Sequence, residues 1–169
     1  MMGLFSASVA GSQASLIYLA AHLVMNAGVF ACIGAMRRNG REVSGIADLA
    51  GLSRTNPGMA AALAIFMFSM AGIPPLAGFF GKFMVFAAAW HSGLYALVAI
   101  GAVSSIVGAY YYLRVVKVMD CDEPAQAFDR PASSLLFVSG GMGLATVLFV
   151  ALLGPLMTVA KQAALALAG

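Results

Sequence analysis

Gly72-Ile73-Pro74-Pro75-Leu76-Ala77-Gly78-Phe79-Phe80-Gly81-Lys82 interrupts an apolar run that extends from Pro57 to Trp90. The run has 34 residues, more than the about 20 that one helix needs to cross a bilayer. Two adjacent prolines lack N–H groups, and their rings collide with the carbonyls of Met70 and Ala71, four residues earlier. Gly72, Gly78 and Gly81 loosen the same stretch. The pattern predicts two half-helices, roughly 57–73 and 76–90, joined by a break near 72–81 inside the membrane. Irregular backbone at that depth is tolerated only where protein buries it or it lines a wet cavity. Upstream, Thr55-Asn56-Pro57 reads as a helix start, with Asn56 as the cap and Pro57 at the first helical position.

The rest of the chain fits the same environment. Of 169 residues, 62% are hydrophobic and 9% charged, and the mean hydropathy is +0.96. A soluble domain carries about 25% charged residues and cannot hide so much apolar surface from water. Residues 14–36 form a first predicted span, closed by Arg37, Arg38, Asn39 and Gly40. Trp90-His91-Ser92-Gly93 predicts an interfacial turn. A third span covers about 94–119 and ends in Tyr110-Tyr111-Tyr112 with Arg114 and Lys117, which suits the headgroup region. The last covers about 133–153, where Gly154-Pro155 kinks or ends it. The fold class is therefore all-α: a single polytopic membrane domain of about four transmembrane helices, one of them discontinuous. Within the first connection, residues 44–52 predict a short interfacial helix.

Charge sets the expected orientation. The connection 37–56 and the segment 114–131 share one side and hold seven of the nine basic residues. The positive-inside rule makes that side cytoplasmic and puts both termini outside. Basic residues flanking apolar runs set topology and form no phosphate-binding stripe, so no nucleic-acid partner is expected. Cys32 and Cys121 have neither CxxC nor metal spacing. The acidic loop 120–129 lacks calcium-loop spacing. No nucleotide loop, iron–sulfur cysteine set or nucleophile elbow is present in the sequence, so no catalytic residue, metal site or cofactor is expected in this chain.

Lys82 is the chemically pointed residue. A lysine in mid-membrane costs about 2.5–3.5 kcal/mol on insertion scales. Desolvation works against its charged form, which readies it to exchange a proton. Snorkelling to an interface is the alternative, but Trp90 lies eight residues on, roughly 12 Å along a helix. Half-helix ends beside it expose partial charges that bind ions or water. Tyr18, His22 and Asn26 recur every fourth residue on one face of the first span. His22 either passes protons or belongs to a hydrogen-bonded stripe between packed helices. Ser104 and Ser105 read as helix-packing residues.

The stretches AIFMFSMAGIPPLAGFFGKFMVFAAAW, GLYALVAIGAVSSIVGAYYYLRVVKVM and YLAAHLVMNAGVFACI resemble the antiporter-like N-subunit family of respiratory complex I. The likeness covers about residues 14–124, and the last helix by position. It implies that this region forms the final four of fourteen helices, and that Lys82 is the lysine of the discontinuous twelfth. Where that family often has tyrosine, this chain has His22. The resemblance further implies a bacterial inner-membrane subunit of NADH:quinone oxidoreductase that contributes to redox-driven proton translocation. Its partners would be the other membrane-arm subunits and the lipid bilayer. Flavin and iron–sulfur clusters would reside in partner subunits, and quinone would be used by the complex without binding here. Enzymatic activity would belong only to the whole assembly. A full subunit of this kind is longer, so the chain is expected to be a C-terminal fragment, with 1–11 as the tail of an earlier helix. Alternatives are a cation/proton antiporter, a membrane-bound hydrogenase subunit, or a truncated segment that only packs against partners.

Overall fold

Ser8 opens the first helix, because its hydroxyl accepts the Gly11 N–H at 3.1 Å and caps one of the free first-turn donors. In the computed structural model, which describes residues 8–43, 45–126, 128–129 and 133–168, this helix, α1, runs from Val9 to Ala35. The expectation for residues 1–11 falls partly outside the described residues, as does Arg130.

A tight hairpin follows, with β1 (Arg37–Arg38) paired antiparallel to β2 (Arg41–Glu42). Asn39 and Gly40 both have positive φ, 53° and 74°. A two-residue turn of this mirror type needs that at both positions, which is why an Asn-Gly pair stands there. The predicted interfacial helix is realised in two shorter pieces: a 3-10 turn, Ile46–Leu49, and α2, Leu52–Thr55.

Helix α3 runs from Pro57 to Ala71, with the Asn56 side chain accepting the Met59 N–H at 3.2 Å and Pro57 in the first turn. After the break comes α4, Ala77–His91. Each half-helix begins or ends a residue or two inside the sequence expectation. Gly93, with φ +76°, turns the chain into α5, Tyr95–Cys121, and Trp90 and Tyr95 pack edge to face across that turn.

The last helix, α6, runs from Ser133 to Ala168 without stopping at Gly154-Pro155. Pro155 removes one donor, but surrendering the helix would expose several more polar groups to an apolar medium. The Thr158 hydroxyl bonds the Gly154 carbonyl at 3.2 Å, the Gln13 amide donates to the Met157 carbonyl at 2.8 Å, and Ala160 and Ala164 are buried beyond the proline.

Among the described residues, α1, α5 and most of α6 are long and apolar enough to cross a membrane, and α3 is a shorter apolar helix. Helix α1 is the hub, packing against α6, α4 and α3. The core is built around Ile17, Ala21 and Met25 of α1 and Leu63, Phe66 and Met67 of α3. Small residues permit the close approach: a Cβ at Gly28 would run into the Phe66 ring. Large apolar residues such as Leu23, Phe30, Ile106 and Phe137 point outward, as lipid-facing helices do.

The two polar connections close over the same end of the bundle. The Asp129 carboxylate accepts the N–H groups of Asn39 (3.2 Å) and Gly40 (2.8 Å), and its own N–H donates to the Arg37 carbonyl at 2.7 Å. Arg38 donates to the Asp48 carboxylate at 2.9 Å and to the Gln126 carbonyl at 2.7 Å, with its guanidinium 5.1 Å from the centre of the Phe128 ring. The Ala125 N–H bonds the Ala50 carbonyl at 2.9 Å. The described residues of the two connections therefore lie at the same end of the bundle, as an alternation of four spans expects.

Candidate functional site

A helix end in an apolar medium must account for its last carbonyls, and α3 does so in two ways. Gly72 takes the left-handed conformation at φ +91°. This lets its N–H donate to the Ser69 carbonyl at 3.0 Å and the Ile73 N–H reach the Phe68 carbonyl at 3.1 Å, the paired arrangement that commonly terminates helices at glycine. The next two carbonyls belong to Met70 and Ala71. In a continuing helix their donors would be the N–H groups of residues 74 and 75. Both positions are proline, joined by a cis peptide.

Lys82 takes that place. Its Nζ donates to the Met70 carbonyl at 2.8 Å and to the Ala71 carbonyl at 3.3 Å. Its stem crosses Gly72, where an added Cβ would stand 3.3 Å from Lys82 Cδ and 3.5 Å from Nζ. Helical side chains lean toward their own N-terminus, so a lysine in the second turn of α4 points back to the break. The lysine is half-buried, with its Nζ turned to the break. Its positive charge meets the negative end of the α3 dipole.

The start of α4 is secured from α3. Leu76, at the cap position, has an apolar side chain that makes no cap hydrogen bond. Instead the Ser69 hydroxyl, 0% exposed, accepts the Gly78 N–H at 3.0 Å. Gly78 lies directly on Ser69, and a Cβ there would overlap the Ser69 carbonyl. Gly81 meets α1: a Cβ there would stand 3.2 Å from Tyr18 Cα. The Tyr18 ring in turn lies 4.5 Å from the His22 ring, centre to centre. His22 is half-buried. Asn26, one turn further along α1, is also half-buried.

The structure thus gathers Gly72, Pro74, Pro75, Gly78, Gly81 and Lys82 at one break, with Tyr18 and His22 alongside. Ser104 bonds the Ile100 carbonyl of its own helix at 2.9 Å, and His91 sits in the last turn of α4. Cys32 is buried and Cys121 exposed. Among the described residues no three His, Cys, Asp or Glu side chains come together as a metal site. Ser69 escaped the sequence reading. Its only signal was its place three residues before the glycine that ends α3. The carbonyls of Met70 and Ala71 were marked by the prolines four residues on, but nothing in the sequence said what would take them.

Residues 1–108 match the family model described as NADH:quinone oxidoreductase/Mrp antiporter, transmembrane. A NADH-quinone oxidoreductase subunit N from Gluconacetobacter diazotrophicus is 59% identical over 167 residues, which is 99% of this chain and 35% of that protein. The subunit N of Paramagnetospirillum magneticum is 53% identical over 97% of this chain and 34% of its own length. The chain spans about a third of the curated relatives it matches. Among solved structures, respiratory complex I from Thermus thermophilus with bound aureothin contains a chain with a TM-score of 0.76 and 27% identity, covering 89% of this chain and 35% of its own. A chain of the Mrp complex from Dietzia has the same fold, with a TM-score of 0.79 at 23% identity over 93% of this chain and 38% of its own.

Proposed function

The chain belongs to the NADH:quinone oxidoreductase/Mrp antiporter transmembrane family, and from that premise we propose that it serves redox-driven proton translocation in the membrane arm of a bacterial NADH:quinone oxidoreductase, with Lys82 as a proton-exchanging group. The observation that carries the reading is the Lys82 Nζ held on the Met70 and Ala71 carbonyls at a proline-made helix break. Two opposing effects act on that nitrogen. The apolar surroundings disfavour its charge, and the C-terminal end of α3 favours it. Their opposition leaves both protonation states usable. The neutral amine keeps two N–H donors for the same two carbonyls, so a proton can leave without orphaning either. Charge arriving nearby along the membrane arm then tips the balance.

His22, whose ring lies tilted against that of Tyr18, is the second group in this reading to pass that proton. The partners are the other membrane-arm subunits. Flavin, iron–sulfur clusters and the quinone site reside in other chains of the assembly. Residues 37–56 and 114–131 face the cytoplasm, and both termini face the opposite side. The 59% identity to a subunit N favours this over a cation/proton antiporter, which the family description also covers. Sodium-dependent transport in the absence of NADH would favour the antiporter.

The test is Lys82→Met in the native complex, with NADH-driven proton translocation measured in inverted membrane vesicles beside the amount of assembled complex. The expected result is normal assembly with fewer protons moved per NADH oxidised. Unchanged proton translocation at normal complex levels overturns the role of Lys82.

A further inference from the structure

We infer that Ser69 is a positioning residue for Lys82: its hydroxyl clasps the two half-helices together and so fixes where the ammonium meets the Met70 and Ala71 carbonyls. The inference rests on the proton-exchanging role of Lys82 and adds the residue that sets its geometry.

Four observations converge. Ser69 sits two residues inside the end of α3, immediately before the two carbonyls that Lys82 takes. Its hydroxyl is fully buried and accepts the Gly78 N–H at 3.0 Å. That N–H is one of the donors the start of α4 leaves free, and the apolar side chain of Leu76 makes no cap hydrogen bond to satisfy it. Gly78 has no Cβ, so the backbones of the two half-helices approach directly at this point.

The register does the rest. Lys82 lies four residues after Gly78, on the same helix face one turn on. Its side chain leans back toward the N-terminus of α4, over Gly78 and toward the break. Fixing Gly78 on Ser69 therefore sets the distance from the Lys82 backbone to Met70 and Ala71. Without the clasp, α4 pivots about the Pro74–Pro75 connection and the Nζ loses its 2.8 and 3.3 Å contacts. A serine is suited to the place because its hydroxyl is a short acceptor that fits a buried crossing. Alanine offers no acceptor there. Threonine keeps the oxygen.

The experiment compares Ser69→Ala, Ser69→Thr, Lys82→Met and the double variant Ser69→Ala/Lys82→Met in the native complex. It measures assembled complex, NADH oxidation rate and protons translocated per NADH. Ser69→Ala is expected to assemble and to lower the proton ratio, and Ser69→Thr to restore it toward the wild-type value. The double variant is expected to translocate no less than Lys82→Met alone, because a residue acting through Lys82 has nothing left to position. Unaltered coupling in Ser69→Ala overturns the inference. So does a further loss in the double variant, which marks Ser69 as a general packing residue. If Ser69→Ala does not assemble, Ser69→Cys carries the same comparison, since a thiol fills the site and is only a weak acceptor. If Lys82→Met itself changes nothing, the reading of the site has failed. If Lys82→Met uncouples and Ser69→Ala does not, only the positioning role has failed.

Discussion

Replacing Gly78 with alanine puts the closest contact of the two half-helices under direct test. A Cβ at residue 78 would overlap the Ser69 carbonyl and stand 2.7 Å from its carbon. Ordinary contact begins at 3.4 Å, so the half-helices must separate by at least about 0.7 Å. That stretches the 3.0 Å bond between the Gly78 N–H and the Ser69 hydroxyl to about 3.7 Å, beyond hydrogen-bonding range. Overpacking a tight crossing costs about 1–3 kcal/mol, and an orphaned buried N–H another about 1–3 kcal/mol. The helix preference of alanine over glycine returns about 1 kcal/mol. The net loss is roughly 1–5 kcal/mol, enough to lower steady-state abundance several-fold. Two alanine substitutions calibrate it. At Gly81 the Cβ would stand 3.2 Å from Tyr18 Cα, and at Gly34 it meets nothing within 4 Å. The assay is the amount of tagged chain in membranes, by quantitative immunoblot, with proton translocation per NADH measured on the same vesicles. The expected order of damage is Gly78→Ala, then Gly81→Ala, then Gly34→Ala. Wild-type abundance and coupling in Gly78→Ala would refute the argument that this crossing fixes the site.

Two further outcomes are expected. A membrane-impermeant maleimide applied to the cytoplasmic face should label exposed Cys121 and spare buried Cys32; labelling of Cys121 only from the opposite face would reverse the proposed orientation. Arg38→Leu removes the bonds to Asp48 and Gln126 from a side chain only 18% exposed, at a cost of about 1–3 kcal/mol. Proteinase K added on the cytoplasmic side should then cut within 36–56 faster than in the wild type, and equal rates would show that Arg38 does not hold the two connections together.

Much of this molecule was readable as a string of residues, because the membrane reduces folding to a small set of rules. Apolar length gave the helices, since a backbone in lipid must bond to itself. Asn56-Pro57 gave a start. Pro74 and Pro75 gave the break, because a missing N–H is a property of the residue and holds in any context. A charge inside an apolar run singled out Lys82 in the same local way.

What the sequence left open was where side chains of different segments meet. Gly154-Pro155 looked like a kink or an end, yet α6 passes through it, because packing on α1 outweighs one lost bond. Ser69 looked like any helix serine until the fold set Gly78 against it. Local rules determine which backbone groups are left without partners, and these are legible residue by residue. Which distant group satisfies each one depends on how the helices cross, and only the tertiary structure brings the Lys82 nitrogen to the two carbonyls that the prolines release.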